Sequence, residues 1–170
     1  MKRSAGVLLY TKASDGTLKL LIAHMGGPFW KNKDAGGWSI PKGELEEGDE
    51  ALPTALREFE EELGSPLRPV DLVELGEVEQ PSGKRIIVFA GEAAFDVENV
   101  RSNTFTIEWP RGSGTQQEFP EIDRAAWVSA DEARVKLVKG QVAFVDRLVE
   151  LLGIRGAANA GESDSPPTLF

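Results

Sequence analysis

Cysteine is absent from this chain of 170 residues, and histidine occurs once. The first absence excludes disulfides, thiolate nucleophiles and cysteine-ligated zinc together. The second leaves His24 as the sole imidazole, and no serine stands with it and an acid in a recognisable motif, so serine–histidine catalysis has no support. His24, at the end of an expected strand, reads as a satisfied structural residue. Cations are scarce as well: 19 lysines and arginines against 28 aspartates and glutamates leave a net charge of −9. Such a balance does not suit broad, sequence-independent nucleic-acid binding, which rests on basic surface, although it leaves room for a nucleotide held through a metal. No apolar run after Met1-Lys2-Arg3 is long enough for a signal peptide or a membrane span, so a cytoplasmic setting without a membrane partner is expected. The pairs Gly26-Gly27 and Gly36-Gly37 are not followed by Gly-Lys-Ser/Thr at P-loop spacing, and no D-x-D-x-D-G loop is present. Those two absences argue against P-loop NTPases, kinases and EF-hand calcium binding.

What the chain does have is a dense acidic segment. Between Lys42 and Glu62 stand nine carboxylates, Glu44, Glu46, Glu47, Asp49, Glu50, Glu58, Glu60, Glu61 and Glu62, against the two cations Lys42 and Arg57. The local charge of −7 is most of the chain's total, and repulsion of that density calls for a counter-charge, for which a divalent metal is the natural candidate. Helical spacing is expected from about Glu50 to Leu63, with Asp49 as N-cap, Pro53 tolerated near the first turn, and Gly64-Ser65-Pro66 as the stop. Glu58, Glu61 and Glu62 then share one arc of the helix and can converge on a point. Leu52, Leu56, Phe59 and Leu63 occupy the adjacent arc and are expected to be buried. Glu60 points elsewhere. Arg57, four residues before Glu61, is placed to orient a carboxylate by a bidentate bond.

The order Gly43, five residues, Asp49, seven residues, Arg57-Glu58-Phe59-Glu60-Glu61-Glu62-Leu63-Gly64 closely resembles the signature of the Nudix hydrolases, G-x5-E-x7-R-E-(apolar)-x-E-E-x-G-(apolar). Asp49 in place of the first glutamate and Ser65 in place of the last apolar residue are the two departures, and neither touches the Arg-Glu-x-x-Glu-Glu core. The resemblance implies a MutT-like, metal-dependent pyrophosphohydrolase cleaving a nucleoside diphosphate linked to a further group. It also implies an α/β/α sandwich with a mixed sheet between helices, over roughly residues 3 to 153.

Element order read from the residues agrees with that α/β class. Ala5 to Tyr10 and Leu18 to His24 read as a hairpin around Ser14-Asp15-Gly16, followed by a glycine-rich loop from Met25 to Gly37. Strands are expected over Asp71 to Glu79, Lys84 to Phe95, Asn103 to Trp109 and Trp127-Val128. Helices are expected over Asp131 to Leu137 and Val142 to Leu152, the latter burying Phe144, Leu148 and Leu151 or Leu152. One domain over residues 1–155 suits the length and the 41% hydrophobic content. Residues 156–170, small and polar, read as a disordered tail. Either a monomer or a homodimer fits.

By the resemblance, Glu58, Glu61 and Glu62 ligate Mg²⁺ or Mn²⁺, with a backbone carbonyl of Gly43 or Lys42 as a further ligand. Carboxylates are the hard oxygen donors such ions take. A glutamate distant in sequence often supplies the general base or another ligand. The segment Pro120 to Val128 resembles the stretch before the last core strand in the RNA pyrophosphohydrolase and dinucleoside polyphosphate hydrolase branches, where a glutamate lies six residues before the tryptophan. That residue is Glu121, and Glu118, three residues earlier in the same loop, is the competing choice. Lys42 resembles the lysine of the Pro-Lys-Gly element that precedes the motif in dinucleoside polyphosphate and diphosphoinositol phosphate hydrolases, where it could meet a phosphate as a point charge. Among Phe29, Trp30 and Trp38, Trp30 is the expected base-stacking residue and Trp38 a core residue. Lys31 and Lys33 could extend positive charge along a polyphosphate, whereas Arg85 and Arg111 read as ordinary surface.

Overall fold

A computed structural model describes residues 2–67 and 70–153 of the chain. Alternation along the first strand, β1 (Arg3–Lys12), sets the architecture. Ala5, Val7 and Leu9 are fully buried on one face and Leu8 on the other, so both faces of the sheet must be covered. The remaining strands and α-helices among the described residues are β2 (Leu18–Met25), β3 (Trp38–Ser39), β4 (Lys42–Glu44), α1 (Ala51–Leu63), β5 (Val73–Glu79), β6 (Arg85–Glu92), β7 (Thr104–Glu108), β8 (Gln116–Pro120), β9 (Ile122–Ser129), α2 (Ala130–Lys136) and α3 (Val142–Leu151). Seven strands form one mixed sheet in which β1 and β6 run parallel and the other pairs are antiparallel. Helix α1 covers the Ala5–Val7–Leu9 face through Ala55, Phe59 and Leu63; α2 and α3 cover the Leu8 face through Ala133, Phe144, Val145 and Leu148. The fold is the expected α/β/α sandwich. Burial of Phe59 and Leu63 alone stabilises the α1 layer by about 2 kcal/mol each.

The β1–β2 hairpin pairs only near its turn, where Tyr10, Thr11 and Lys12 face Leu20, Lys19 and Leu18. Beyond that it opens, and residues 38–44 fill the gap. Strand β3 takes the freed edge of β2 at Ala23 and His24, and β4 takes that of β1 at Ser4 to Gly6. The crossing at Ile40-Pro41 presses on Gly6, where a Cβ would lie 2.6 Å from the Pro41 carbonyl oxygen, and the Val7 N–H donates to that oxygen at 3.0 Å. Gln141, buried ahead of α3, holds the crossing from the other side. Its Oε1 accepts from the Ile40 N–H at 2.7 Å and its Nε2 donates to Ser39 Oγ at 3.0 Å.

Several local expectations are corrected. Glu50, not Asp49, is the N-cap of α1, and it makes no side-chain capping bond. Asp49 closes the preceding turn instead, its Oδ2 accepting from the Glu46 N–H at 2.9 Å. Gly64 does end the helix in the left-handed conformation that glycine tolerates, its N–H bonded to Glu60 O. Leu52 and Leu56 are exposed, because the arc that meets the sheet runs through Ala55, Phe59, Glu62 and Leu63. In α3 the buried stripe is Phe144, Val145, Leu148 and Val149; of the two leucines offered to complete it, Leu151 is exposed and Leu152, just past the helix, packs against the core. The last strand runs over Ile122–Ser129, well beyond Trp127-Val128, and β8 appears where no strand was expected. Strands β7 and β8 make a separate two-stranded sheet. Residues 156–170, expected to form a tail, lie outside the described residues.

Candidate active site

Strand β4 and helix α1 meet face to face, and the contact is made by a residue with no side chain. A Cβ at Gly43 would overlap the Glu58 carboxyl group, so glycine is what lets that carboxylate lie against the strand. One turn further along α1, Glu62 is buried beside Lys42, whose N–H donates to Glu62 Oε1 at 3.3 Å and whose Nζ lies 4.0 Å from Oε2. These residues border a cavity of about 420 Å³ whose lining combines the charged Lys42, Glu44, Glu58, Glu62 and Glu121 with Gly26 and Gly43 and with the apolar or aromatic Met25, Trp30, Phe105 and Ile122. The two kinds of residue adjoin, the Gly26 N–H donating to the Glu121 carbonyl at 2.9 Å.

Electrostatics among these carboxylates is unfavourable as it stands. Burial pushes the Glu62 carboxyl up to about 7, against the opposing pull of Lys42, and the charges of Glu121 and Glu58 push in the same direction as burial. Burial also raises Glu58, with the charge of Glu61 next in effect and Arg57 working against both. Carboxylates that resist ionisation next to one another are suited to a cation that would compensate them, and their oxygens are the donors a hard divalent ion takes. The donor set therefore fits a divalent metal, although among the described residues no three acidic or histidine side chains are yet drawn together tightly enough to form a preformed cage.

The structure thus brings Lys42, Gly43, Glu58, Glu62, Glu121 and Trp30 around one cavity. Glu61 is half-exposed and outside the cavity lining, with Arg57 Nε 3.8 Å from its Oε2; the same guanidinium lies 3.6 Å from Glu58 Oε2, so Arg57 pairs with two carboxylates by one contact each and not with one by the expected bidentate bond. Glu118 lies on β8, bonded to the Thr104 hydroxyl and outside the cavity lining. Lys31 is exposed on the glycine-rich loop, and Lys33 Nζ sits 5.3 Å from the centre of the Trp30 ring. Phe105, Met25 and Ile122 were not anticipated. Only the pairing of β7 with β8, and the absence of a side chain at Gly27 against the Phe105 ring, brings Phe105 to the loop.

The chain belongs to the Nudix family: a family model described as NUDIX domain matches residues 1–148. It is thereby a hydrolase acting on phosphoric anhydride bonds of nucleoside diphosphate derivatives, in a family that generally uses divalent metals. Solved structures share the fold at low identity. An Ap4A hydrolase binary complex from C. elegans is 16% identical, with 90% of this chain and 98% of that chain covered and a TM-score of 0.62. The NUDIX domain of Shewanella oneidensis NrtR complexed with ADP ribose is 18% identical, over 88% of this chain and 87% of that chain, with a TM-score of 0.57. A MutT protein from Methanosarcina mazei Go1 is 18% identical, over 89% and 94%, with a TM-score of 0.55. No curated protein matches the sequence.

Proposed function

We propose that the chain is a Mg²⁺- or Mn²⁺-dependent pyrophosphohydrolase whose substrate is a dinucleoside polyphosphate of the diadenosine tetraphosphate kind. The mixed lining of the cavity carries this reading, since a nucleotide needs an aromatic surface for its base and carboxylates able to hold a metal for its phosphates. Glu58, Glu61 and Glu62 would hold the metal, with the Gly43 carbonyl as a further donor. With a divalent ion held there, these residues would gain charge neutralisation for the leaving group and a lowered pKa for the attacking water. Arg57 orients Glu58 and Glu61. Lys42 contacts a phosphate, Trp30 stacks on a base, and Lys31 and Lys33 attract the polyphosphate as it approaches.

The chemistry is water attack on phosphorus with cleavage of one P–O anhydride bond. A carboxylate takes the proton of the water, and Glu121 on the cavity wall is preferred to Glu118, which is engaged by Thr104. Nucleoside triphosphates and the 5′ end of RNA are the next substrate classes. Among the described residues no helix is long and apolar enough to cross a membrane.

Product analysis of the purified protein with Mg²⁺ tests this across diadenosine tetraphosphate, nucleoside triphosphates, ADP-ribose and triphosphorylated RNA, with Glu62→Gln as control. Release of ATP and AMP from the first substrate by the wild type alone supports the reading. Preference for another substrate moves the assignment to that class, and nucleotide binding without turnover of any of them overturns it.

A further inference from the structure

His24 takes no part in the chemistry above, yet it is fully buried and both ring nitrogens are engaged. Nε2 lies 2.7 Å from the carbonyl oxygen of Lys33, and a carbonyl only accepts, so Nε2 carries a proton. Nδ1 lies 2.9 Å from Asp123 Oδ1 and 3.3 Å from Arg124 Nη1, which is itself 3.2 Å from the same carboxylate oxygen. The ring stands edge-on to Trp38, centroids 5.2 Å apart. One imidazole therefore joins two chain segments that are far apart in sequence.

Both segments lead to the cavity. In the β2–β9 ladder His24 pairs with Arg124 and Met25 with Ile122, so Asp123 is the extra residue of a β-bulge. A bulged residue lacks a ladder partner, and here the side-chain bond to His24 fixes it. The bulge puts Ile122 and Ala125, three residues apart, into the same core on the α1 side, and Glu121 immediately precedes it on the cavity wall. The second segment is the loop from Gly26 to Gly37, which carries Trp30. It is tied at its start by the Gly26 N–H to the Glu121 carbonyl at 2.9 Å, and near its end by Lys33 O to His24.

We infer that His24 is a positioning residue with two separable arms: through Asp123 it sets the bulge that aims Glu121, and through the Lys33 carbonyl it sets the loop that presents Trp30. This rests on the reading of Glu121 and Trp30 given above. The two arms answer to different substitutions. Asparagine places an amide near the Nδ1 position and keeps the Asp123 arm; glutamine places one near the Nε2 position and keeps the Lys33 arm.

His24→Gln is expected to lower kcat about tenfold with KM within twofold, and His24→Asn to raise KM about fivefold with kcat within twofold. Asp123→Ala, at a partly exposed side chain whose loss leaves the core intact, should reproduce the effect of the glutamine variant. Amide hydrogen exchange in nucleotide-free protein gives an independent readout. Faster exchange should be confined to the Glu121–Arg124 stretch in His24→Gln and to the 26–37 loop in His24→Asn. Lower melting temperatures with kcat and KM unchanged, or identical shifts in both variants, would overturn the inference. A wild type without turnover would fail the functional reading alone, and the exchange pattern would then decide whether the two arms exist.

Discussion

Glu58 lies against Gly43 with no room for a methyl group between helix and strand. Gly43→Ala should therefore displace the Glu58 carboxylate while β4 keeps its pairing with β1. The expected outcome is a loss of about tenfold or more in kcat/KM with a destabilisation of only about 1–3 kcal/mol. Steady-state kinetics beside thermal melting checks it; a variant that melts lower and turns over normally would argue that Glu58 need not lie there.

Glu61→Gln and Glu62→Gln are each expected to reduce turnover by about 100-fold or more, the scale set by removing a charge that acts on the transition state. Neither removes core packing. Circular dichroism should show an intact fold in both, so unchanged rates in both could not be blamed on compensation by unfolding and would count directly against the metal-site reading.

The raised Glu62 carboxyl makes a pH prediction. Its folded pKa of about 7 stands above the unfolded value of 4.5, so the folded state holds the proton more tightly. Between those two pH values the folded protein binds more protons than the unfolded one, and stability falls as pH rises. The penalty is complete above about 7 and absent below 4.5, and is on the order of 3 kcal/mol. In chelator the melting temperature of the wild type should decline from pH 5 to pH 8, and Glu62→Gln should decline less. Added Mg²⁺ should stabilise the wild type more at pH 8 than at pH 5, since only the ionised carboxylate gains from a cation.

Trp30→Ala tests the aromatic part of the cavity lining. Stacking on a base is worth about 1–3 kcal/mol, so KM should rise roughly fivefold to 150-fold with kcat little changed. A pure kcat effect would place Trp30 in the loop's conformation and not against substrate.

Glu121→Gln and Glu118→Gln separate the two candidates for the base. The first is expected to lower kcat by about 100-fold and the second by less than about threefold, within the usual range for general-base removal and for surface change. The reverse order would give the role to Glu118 and imply that the β7–β8 arm moves when substrate binds.

The acidic helix was legible in sequence because its determinants are local. The spacing of carboxylates, Gly64 and Ser65-Pro66 predict a helix from Glu50 to Leu63, and α1 spans Ala51–Leu63. Which arc of that helix meets the sheet is not local, and Leu52 and Leu56 fall outside it because α1 turns Glu62 inward toward Lys42. Strand β8 could not be seen in Gln116-Gln117-Glu118, which offers no apolar alternation, and forms because β7 provides a partner. The length of β9 was hidden by its bulge, which breaks the alternation at Asp123. Lys42, Glu121 and Trp30 share a cavity only through the opened hairpin and the glycine-rich loop, and no spacing in the sequence encodes that meeting.

The opened hairpin leaves the cavity with walls of two kinds. One is β4, a strand of the central sheet paired with β1 and packed by α1. Trp30 and Phe105, by contrast, are carried by a loop and by a two-stranded arm that stands outside that sheet. Substitutions in the arm and loop can therefore re-shape what is recognised while the β4 wall, and the bond-breaking chemistry that depends on it, stays as it is. A fold divided this way can change substrates over its history at little risk to its reaction.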